Sequence, residues 1–381
     1  MAVSGEVIIV GGGIIGLASA WRCLQAGLTV TVFDPDPTRA AAFAAAGMLT
    51  PVTEAYWGEE DLIAVSTASM RRYAGFVAEL EAVTGLDVDL RTSGVLVVAF
   101  DNDDLEVIED LFRLHESCGL PSRRLRGREC RAVEPLLTPT TRGGVLAPDD
   151  GSVNPRRVLG ALSRAVELSG GSLVCQQVRE LRIQGDRVEG VLTDDGVAHG
   201  ADVVVLTAGA WTPLVRGVPE ADRPPVRPVK GQILRMTSRL HSHHPGITVR
   251  GFVRGSHVYI VPRSDSEVVI GATSEERGFS RQVTGWGVNE LLRDALTLIP
   301  GLGESELTEC RAGLRPGTPD NGPVVGWGRT EGLYLATGHF RHGVLLAPIT
   351  AEAVAADLAG RPAPAEIGAF RPGRFVGEFV P

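Results

Sequence analysis

The feature that most constrains this chain is a glycine-rich turn, Gly11-x-Gly13-x-x-Gly16, placed between two periodic segments. A short β-branched run at 6–10 precedes it, and apolar residues at helical spacing follow it over 14–24. That order predicts a β-loop-α unit in which Gly11 makes the tight turn, Gly13 admits a phosphate to the backbone and Gly16 lets helix pack on strand. The helix N-terminus then offers unpaired N–H groups to an anion.

A second predicted strand, 29–33, ends at Asp34, and Pro35 and Pro37 prevent its continuation. Asp34 stands 23 residues after Gly11, at the position from which a carboxylate accepts hydrogen bonds from ribose hydroxyls. The two features together predict a dinucleotide site in a parallel, helix-flanked sheet. The motif by itself does not separate a nicotinamide cofactor from a flavin.

Composition narrows the class of protein. The chain has 381 residues, 44% of them hydrophobic, and a net charge of −9, which favours a two-lobed globular enzyme over a nucleic-acid-binding or membrane-surface protein. The five scattered cysteines lack any Cys-x-x-Cys spacing, and the apolar stretch 7–20 contains four glycines. We therefore expect a reduced, cytoplasmic protein without signal peptide or membrane span.

The remaining pattern predicts an α/β fold with a second, α+β lobe. Helices are predicted at 62–83, 105–118, 155–168 and 344–358, and strands at 94–100, 202–207 and 333–336. From 227 to 271 the pattern changes to short strands, at 232–236, 257–261 and 268–270, which favours an antiparallel sheet. The proline-rich segment 213–228 is the expected boundary. A strand-glycine-helix unit near each end of the chain indicates that the C-terminal part completes the first lobe.

A run of small residues, Ala44-Ala45-Ala46-Gly47-Met48, has two interpretations. Small side chains would let backbone N–H groups reach a flat ring. The alternative is a helix N-terminus or simple packing of small residues.

Several stretches carry a resemblance to a known family. They are 10–16, 44–48, 207–211, 228–232, 259–263, 271–273, 313–320 and 338–348, of which Gly-Leu-Arg-Pro-Gly-Thr-Pro-Asp and Gly-His-Phe-Arg-x-Gly-x-Leu-Leu-Ala-Pro are the most specific. The sequence resembles the glycine oxidases of the thiamine pathway, within the D-amino-acid oxidase and sarcosine oxidase superfamily. The resemblance implies FAD, a Rossmann-like FAD-binding lobe and an antiparallel-sheet substrate lobe. It further implies oxidation of a small amino acid by molecular oxygen, and a homo-oligomer, commonly a tetramer.

Together, the pattern and the resemblance predict lobes built from discontinuous segments. The FAD-binding lobe would comprise residues 1–85, 146–226 and 313–381. The substrate lobe would comprise 86–145 and 227–312.

The resemblance also implies site residues. Arg315 matches the arginine that pairs with the substrate carboxylate, Tyr259 the tyrosine that assists it, and Arg341 a second arginine near the substrate. A planar guanidinium suits this positioning task because it can bind a carboxylate bidentately. The implied cofactor contacts are Gly11, Gly13, Ile14, Ile15, Gly16, Asp34, Pro35, Ala45, Ala46, Gly47, Met48, Val178, Thr207, Ala208, Gly209, Trp211, Gly338, His339, Phe340, Arg341, His342, Gly343, Val344 and Leu345.

Departures from the family pattern sharpen these expectations. Ser274 stands where glycine oxidases often have an apolar pocket residue, which leaves the side-chain preference open. Gly313 occupies the position at which sarcosine oxidases bond the flavin through cysteine, and Cys310 lies three residues too early, so FAD should be non-covalent. Lys230, the only lysine, has either a flavin-side role or none.

Metal binding is not expected. His241, His243 and His244 lack a nearby cysteine or carboxylate and are interpreted as a solvated loop.

The loop 338–343 should lead into a helix with Pro348 in its first turn. The N-terminus of that helix would stabilise negative charge on a reduced flavin.

The leading functional hypothesis is therefore FAD-dependent oxidation of glycine, with sarcosine or small D-amino acids as further substrates, feeding thiazole synthesis. A D-amino-acid dehydrogenase that passes electrons to another carrier is the alternative within the same fold. A flavin-binding protein without turnover is the third hypothesis, which Arg315 and Tyr259 disfavour.

Overall fold

The computed structural model describes residues 5–237 and 244–375. The helices are α1 Ile14–Gln25, α2 Ala41–Ala44, α3 Glu60–Thr84, α4 Asn102–Ser117, α5 Gly127–Val133, α6 Pro155–Leu168, α7 Gly285–Leu298 and α8 Gly343–Leu358. The strands are β1 Glu6–Val10, β2 Thr29–Phe33, β3 Met48–Leu49, β4 Val95–Ala99, β5 Arg123–Arg126, β6 Gly143–Ala147, β7 Gly151–Ser152, β8 Ser172–Val174, β9 Val178–Gln184, β10 Arg187–Thr193, β11 Ala198–Gly200, β12 Val203–Leu206, β13 Arg227–Thr237, β14 Thr248–Val253, β15 Ser256–Pro262, β16 Glu267–Gly271, β17 Glu306–Gly317, β18 Val324–Trp327 and β19 Leu333–Thr337.

The first sheet has the strand order β18-β19-β12-β1-β2-β8 and is parallel except for its edge strand β18. Its central strand β1 is buried on both faces. Val7 and Ile9 pack with α1, α3, α6 and α8, whereas Ile8 and Val10 pack against the small sheet β11-β10-β9. Burial on both faces explains the continuous apolar run seen in the sequence.

The second sheet has the order β17-β13-β16-β15-β14-β4-β6-β5. Its pairs are antiparallel, as predicted, except that β14 and β4 run parallel. Because β4 and β14 are far apart in the sequence, the hydrophobic pattern alone could not predict their relative direction. One face packs on α7, and the opposite face turns towards the first sheet.

Most predicted elements are present, with ends shifted by a few residues. The prediction of Pro348 in the first turn of its helix is wrong. Helix α8 begins at Gly343, which makes Pro348 its sixth residue and places it inside the helix. The sheet β9–β11 was not predicted from the sequence.

The predicted lobe segments follow sheet membership closely, but two boundaries do not coincide with element ends. The divisions at 146 and 313 fall inside β6 and β17, which both belong to the second sheet. The division of the chain into two lobes stays a prediction. Within the described ranges, no helix has the length and apolar character needed to cross a membrane.

Candidate active site

A cavity of about 680 Å³ lies between the carboxyl ends of the parallel strands and the face of the second sheet opposite α7. The turns after β1, β2, β12 and β19 form one side, and β13, β14, β15 and β17 form the other. In parallel sheets, the loops at the carboxyl edge are where ligands bind. The topology thus brings residues from distant parts of the chain to one site.

The glycine turn has the geometry that its spacing predicts. Gly11 has a φ of +107°, and a side chain there would press on the carbonyl of Thr207. A Cβ at Gly16 would overlap the carbonyl oxygen of Gly11, so this glycine serves the close approach of α1 to the strand. At Gly13 the nearest atom to such a Cβ is Ala40 Cβ at 3.8 Å, which leaves the cavity side open for a ligand.

Asp34 lines the cavity at the end of β2 and also organises the turn. Its carboxylate accepts hydrogen bonds from the backbone N–H of Gly12 (2.6 Å) and of Asp36 (2.9 Å). Burial raises the pKa of the Asp34 carboxyl, and these two hydrogen bonds oppose the rise. One side chain therefore ties the first βα turn to the end of the second strand.

Arg39 is a cavity residue that the sequence analysis missed. Its guanidinium lies 4.2 Å from the centre of the Trp211 ring, which in turn stacks on Phe279. The Arg39 Nε is buried without a hydrogen-bond partner, although it lines the cavity. An unpartnered buried donor beside a glycine turn fits an anionic ligand such as a pyrophosphate. The residues present therefore fit a dinucleotide.

The second predicted cofactor turn also reaches the cavity. The Thr207 hydroxyl donates to the carbonyls of Val10 (2.9 Å) and Gly11 (2.7 Å), which fixes the ends of β1 and β12 together. Gly209 follows with a φ of +53°. Val178, at the start of β9, lines the same end of the cavity.

The small-residue run lies at the cavity, and its glycine has a packing role. Residues 44–48 line the cavity, but the glycine itself is required by packing. Gly47 has a φ of +71°, and a side chain would overlap the carbonyl of Val153 and the ring of Pro155.

Arg315, on β17, faces the cavity and lies flat over β13. A Cβ at Gly231 would overlap its guanidinium, so the glycine provides the space in which the group lies. Its Nη1 donates to the carbonyl of Thr273 at 3.1 Å. No carboxylate partner of Arg315 is present among the described residues. The charge is therefore available to an anionic ligand.

Tyr259 lies beside Arg315 on the same face. Its ring covers Gly271 on the neighbouring strand, where any side chain would overlap it. Burial raises the pKa of Tyr259, against the opposing effect of Arg315, so the phenol stays protonated. It can then donate a hydrogen bond to a carboxylate held by Arg315.

Arg341 lines the cavity but is already engaged. Its Nη2 lies 3.6 Å from Glu59 Oε2, and its guanidinium lies 4.4 Å from the centre of the Tyr56 ring. In the same loop, His339 is buried and its Nε2 contacts Thr350 Oγ1 at 3.0 Å. Burial lowers the pKa of His339 to about 3, so this imidazole is neutral.

Four predicted cofactor residues do not line the cavity: Gly16, Gly338, His342 and Leu345. Gly16 serves the packing of α1 on the strand. Gly338 has a φ of +76° and no room for a side chain beside Thr318, while His342 and Leu345 are buried behind the loop. The other predicted site residues do reach the cavity: Gly11, Gly13, Ile14, Ile15, Asp34, Pro35, Ala45, Ala46, Gly47, Met48, Val178, Thr207, Ala208, Gly209, Trp211, His339, Phe340, Arg341, Gly343, Val344, Tyr259 and Arg315.

The remaining sequence expectations have mixed outcomes. Ser274 lines the cavity. Lys230 does not; it is 2% exposed and pairs with Glu275 at 3.0 Å. His241 and His243 lie outside the described residues, and His244 contacts the carbonyl of Glu267. No cluster of three metal-ligating side chains occurs in the part of the chain that the structure describes.

Three further residues complete the wall near Tyr259: Glu54, Arg250 and His257. Burial lowers the pKa of His257, an effect that the nearby Arg250 and Arg341 reinforce. Arg250 is the cross-strand neighbour of Tyr259 in the hairpin β14–β15. The sequence signal that could have identified Arg250 is the Arg254-Gly255 turn of this hairpin, which was not recognised.

Comparisons with known proteins agree on the kind of protein. A family model described as FAD dependent oxidoreductase matches residues 6–357. The chain is similar to a bifunctional protein ThiO/ThiG from Synechocystis, with 35% identity over 99% of this chain and 55% of that protein. The chain thus spans about half the length of the bifunctional relatives it matches.

Solved structures give the same result. A crystal structure of glycine oxidase from Geobacillus kaustophilus superposes with a TM-score of 0.88 at 29% identity, covering 98% of this chain and 99% of the other. An iminodiacetate oxidase from Chelativorans sp. BNC1 superposes with a TM-score of 0.85 at 29% identity, covering 96% and 98%.

Proposed function

Because the chain belongs to the family of FAD-dependent oxidoreductases, we propose that it oxidises glycine and other small amino acids at the carbon that carries the amine. The observation that carries the proposal is Arg315, a cavity guanidinium without a carboxylate partner among the described residues, beside the protonated Tyr259. The similarity to glycine oxidases supports the same substrate class.

FAD, when bound, accepts two electrons and the hydrogen of the substrate carbon. The overall reaction for glycine consumes one oxygen and one water and yields glyoxylate, ammonia and hydrogen peroxide. Two electrons pass from the C–N unit to oxygen, and water hydrolyses the resulting imine. The residues that would hold the cofactor are the glycine turn, Asp34, Arg39 and the Thr207 turn.

In this reaction the protein's task is positioning. Arg315 would receive the substrate carboxylate in place of its hydration, and the Tyr259 hydroxyl would donate to the same carboxylate. Because Gly231 and Gly271 have no side chains, Arg315 and Tyr259 lie flat against the sheet. The α-carbon of the substrate would then be directed towards the cofactor side of the cavity.

Non-covalent binding of FAD is part of the proposal. Gly313 faces the cavity, whereas Cys310 lies an odd number of residues away on the same strand and therefore points to the opposite face. A thiol on that face cannot reach a ligand in the cavity.

Oxygen as acceptor, a role in thiazole synthesis and a homo-oligomeric state are further parts of the proposal. The similarity to ThiO/ThiG proteins supports the role in thiazole synthesis. A dehydrogenase that uses another electron carrier is the competing outcome.

The test uses the purified yellow holoenzyme. Anaerobic addition of glycine should bleach the flavin absorbance, and an oxygen electrode should record oxygen consumption with equimolar peroxide for glycine, sarcosine or D-alanine. Bleaching without oxygen consumption would indicate the dehydrogenase. An absence of bleaching by all three amino acids would contradict the proposed substrate class.

A further inference from the structure

The cavity near Tyr259 contains a second cation whose charge is compensated from within the protein. Arg250 and Glu54 both line the cavity, with side chains 13% and 12% exposed, and Arg250 Nη2 lies 3.5 Å from Glu54 Oε1. Arg250 also donates to the carbonyl of Thr53, and Glu54 accepts from the Thr50 hydroxyl at 2.9 Å. The pair is therefore held in place by the loop after β3.

The position of this pair follows from the sheet register. Arg250 on β14 is directly opposite Tyr259 on β15, and Tyr259 is opposite Gly271 on β16. Side chains of opposed residues project from the same face of a sheet. The Arg315 guanidinium lies over Gly231 on β13, the strand beyond β16. Arg315 and Arg250 therefore flank Tyr259 from opposite sides.

The cavity arginines at this end differ in their partners. Arg250 is paired with Glu54 and Arg341 with Glu59, whereas Arg315 has no carboxylate partner among the residues described. Burial by itself would raise the pKa of Glu54, but the charges of Arg250 and Arg341 and the hydrogen bond from Thr50 outweigh it and lower the pKa. Glu54 is therefore ionised, and at this end of the cavity Arg315 is the guanidinium left without a carboxylate partner in the described part of the chain.

We propose that Glu54, by compensating Arg250, restricts the site to amino acids with a single carboxylate and excludes substrates that carry a second one. A second carboxylate near Arg250 would have to approach the charge of Glu54 and displace its contact. Without Glu54, Arg250 becomes a receptor for that second anion. This inference rests on the proposed function, since it assumes that Arg315 holds the first carboxylate.

The test compares glycine with iminodiacetate, which is glycine bearing a second carboxymethyl group on its nitrogen. The measured quantity is the ratio of kcat/KM for iminodiacetate to kcat/KM for glycine, in FAD-loaded enzyme. Glu54→Gln removes the charge at nearly constant shape, and we expect the ratio to rise at least about tenfold. Adding Arg250→Met to Glu54→Gln should return the ratio to the wild-type value.

Asp110→Asn is the matched control. Asp110 also lines the cavity, but it pairs with Arg113 and accepts from Trp57, so its loss removes a negative charge without freeing a cavity arginine. The ratio should stay within about twofold of wild type, because the general field of one screened charge is small. An equal rise in Asp110→Asn and Glu54→Gln would overturn the specific role of Glu54.

If Glu54→Gln fails to load FAD, Arg250→Met tests the inference instead. If glycine is not turned over, a binding measurement on Glu54→Gln replaces the kinetic ratio. Arg250→Met alone should lower the ratio, because Glu54 is then uncompensated. Malonate, which has two carboxylates and no amine, should perturb the flavin absorbance of Glu54→Gln at lower concentration than that of wild type, whereas acetate should not discriminate. An unchanged malonate dissociation constant in Glu54→Gln and an unchanged ratio in Arg250→Met would each contradict the proposal.

Discussion

At the scale of single residues, the function of an arginine here depends on what neutralises it. Arg315 and Arg250 project from the same sheet face, yet only Arg250 has a carboxylate within ion-pair distance in the described chain. A buried charge is tolerable only when something replaces its hydration. The residue that lacks an internal partner is therefore the one to test as the substrate anchor.

Replacing Arg315 should impair catalysis without unfolding the protein. In Arg315→Ala we expect a fall in kcat/KM for glycine of at least about a hundredfold, because a buried charge pair with the substrate is lost. Arg315→Lys should recover only part of it, since an ammonium cannot bind a carboxylate bidentately. The measurement is steady-state kinetics with flavin absorbance to confirm loading. Near wild-type kinetics in fully FAD-loaded Arg315→Ala would indicate that another cavity arginine binds the substrate carboxylate.

Replacing Asp34 should act on the cofactor. Its carboxylate holds Gly12 and Asp36 by two backbone hydrogen bonds and faces the cavity. We expect Asp34→Ala to weaken FAD binding by more than about tenfold, since a hydrogen bond to a charged group contributes ~1.5–3 kcal/mol. Asp34→Asn, which keeps one acceptor oxygen, should lose less. The measurement is the FAD dissociation constant, and equal constants in all three proteins would remove Asp34 from the cofactor site.

At the scale of elements, the hairpin β14–β15 determines which side chains face the substrate. Its turn, Arg254-Gly255, has φ values of +53° and +80°, which suits a two-residue hairpin loop. The Asp104 carboxylate, in the first turn of α4, accepts from the backbone N–H of Arg254 (3.0 Å) and of Gly255 (2.9 Å). Helix α4 thus fixes the register that places Arg250 opposite Tyr259.

Asp104→Ala should therefore destabilise the hairpin. We expect the free energy of unfolding to fall by about 2–4 kcal/mol, because two partly buried backbone N–H groups of the turn lose a charged acceptor. Asp103→Ala is the matched control on the exposed side of the same helical turn, and it should change stability by less than about 0.5 kcal/mol. Urea unfolding of both variants at saturating FAD tests this. Equal losses would show that the turn does not depend on Asp104.

Helix α4 is also attached to the loop that carries Glu54, and this contact predicts a pH dependence. The buried His115 donates from Nε2 to the Val52 carbonyl at 2.9 Å, and its Nδ1 contacts Ser122 Oγ at 2.9 Å. Burial lowers the pKa of His115 to about 4.

The unfolded chain takes up this proton near pH 6.5, whereas the native state does not, so the stabilising contribution is complete above pH 6.5 and is lost as pH falls towards 4. The difference in unfolding free energy between wild type and His115→Gln should shrink by up to about 1.4 kcal/mol per pH unit over that window. Urea unfolding at pH 7, 6, 5 and 4.5 measures it. Parallel stability curves for the two proteins would contradict the assignment.

At the scale of the whole molecule, the cofactor should join parts of the chain that are distant in sequence. The cavity receives turns from β1, β2, β12 and β19 and side chains from the second sheet. A ligand that contacts all of them stabilises the folded state by mass action.

The bond between chain and cofactor should nevertheless be non-covalent. We expect acid or heat to release one FAD per chain, because Gly313 stands where a linking cysteine would be needed and Cys310 points away from the cavity. Adding FAD should also raise the midpoint of thermal unfolding of the stripped protein. Flavin fluorescence that remains with the protein band on a denaturing gel would contradict this prediction.

What the sequence by itself determined is local. The glycine turn, Asp34 at the end of β2 and the bounds of α6 follow from short-range rules, because tight turns, phosphate approach and helix starts depend on a few neighbouring residues. The resemblance to a family added Arg315 and Tyr259, whose motifs are linear. These predictions needed no knowledge of which strands pair.

What only the tertiary structure decided is which residues meet. The parallel pairing of β14 with β4 and the contact between Arg250 and Glu54 join segments about 150 to 200 residues apart. Strand pairing at that separation depends on the burial of whole faces, which no local pattern encodes. Arg39 became a candidate for the same reason, since its unpartnered Nε is recognisable only once Trp211 is packed against it.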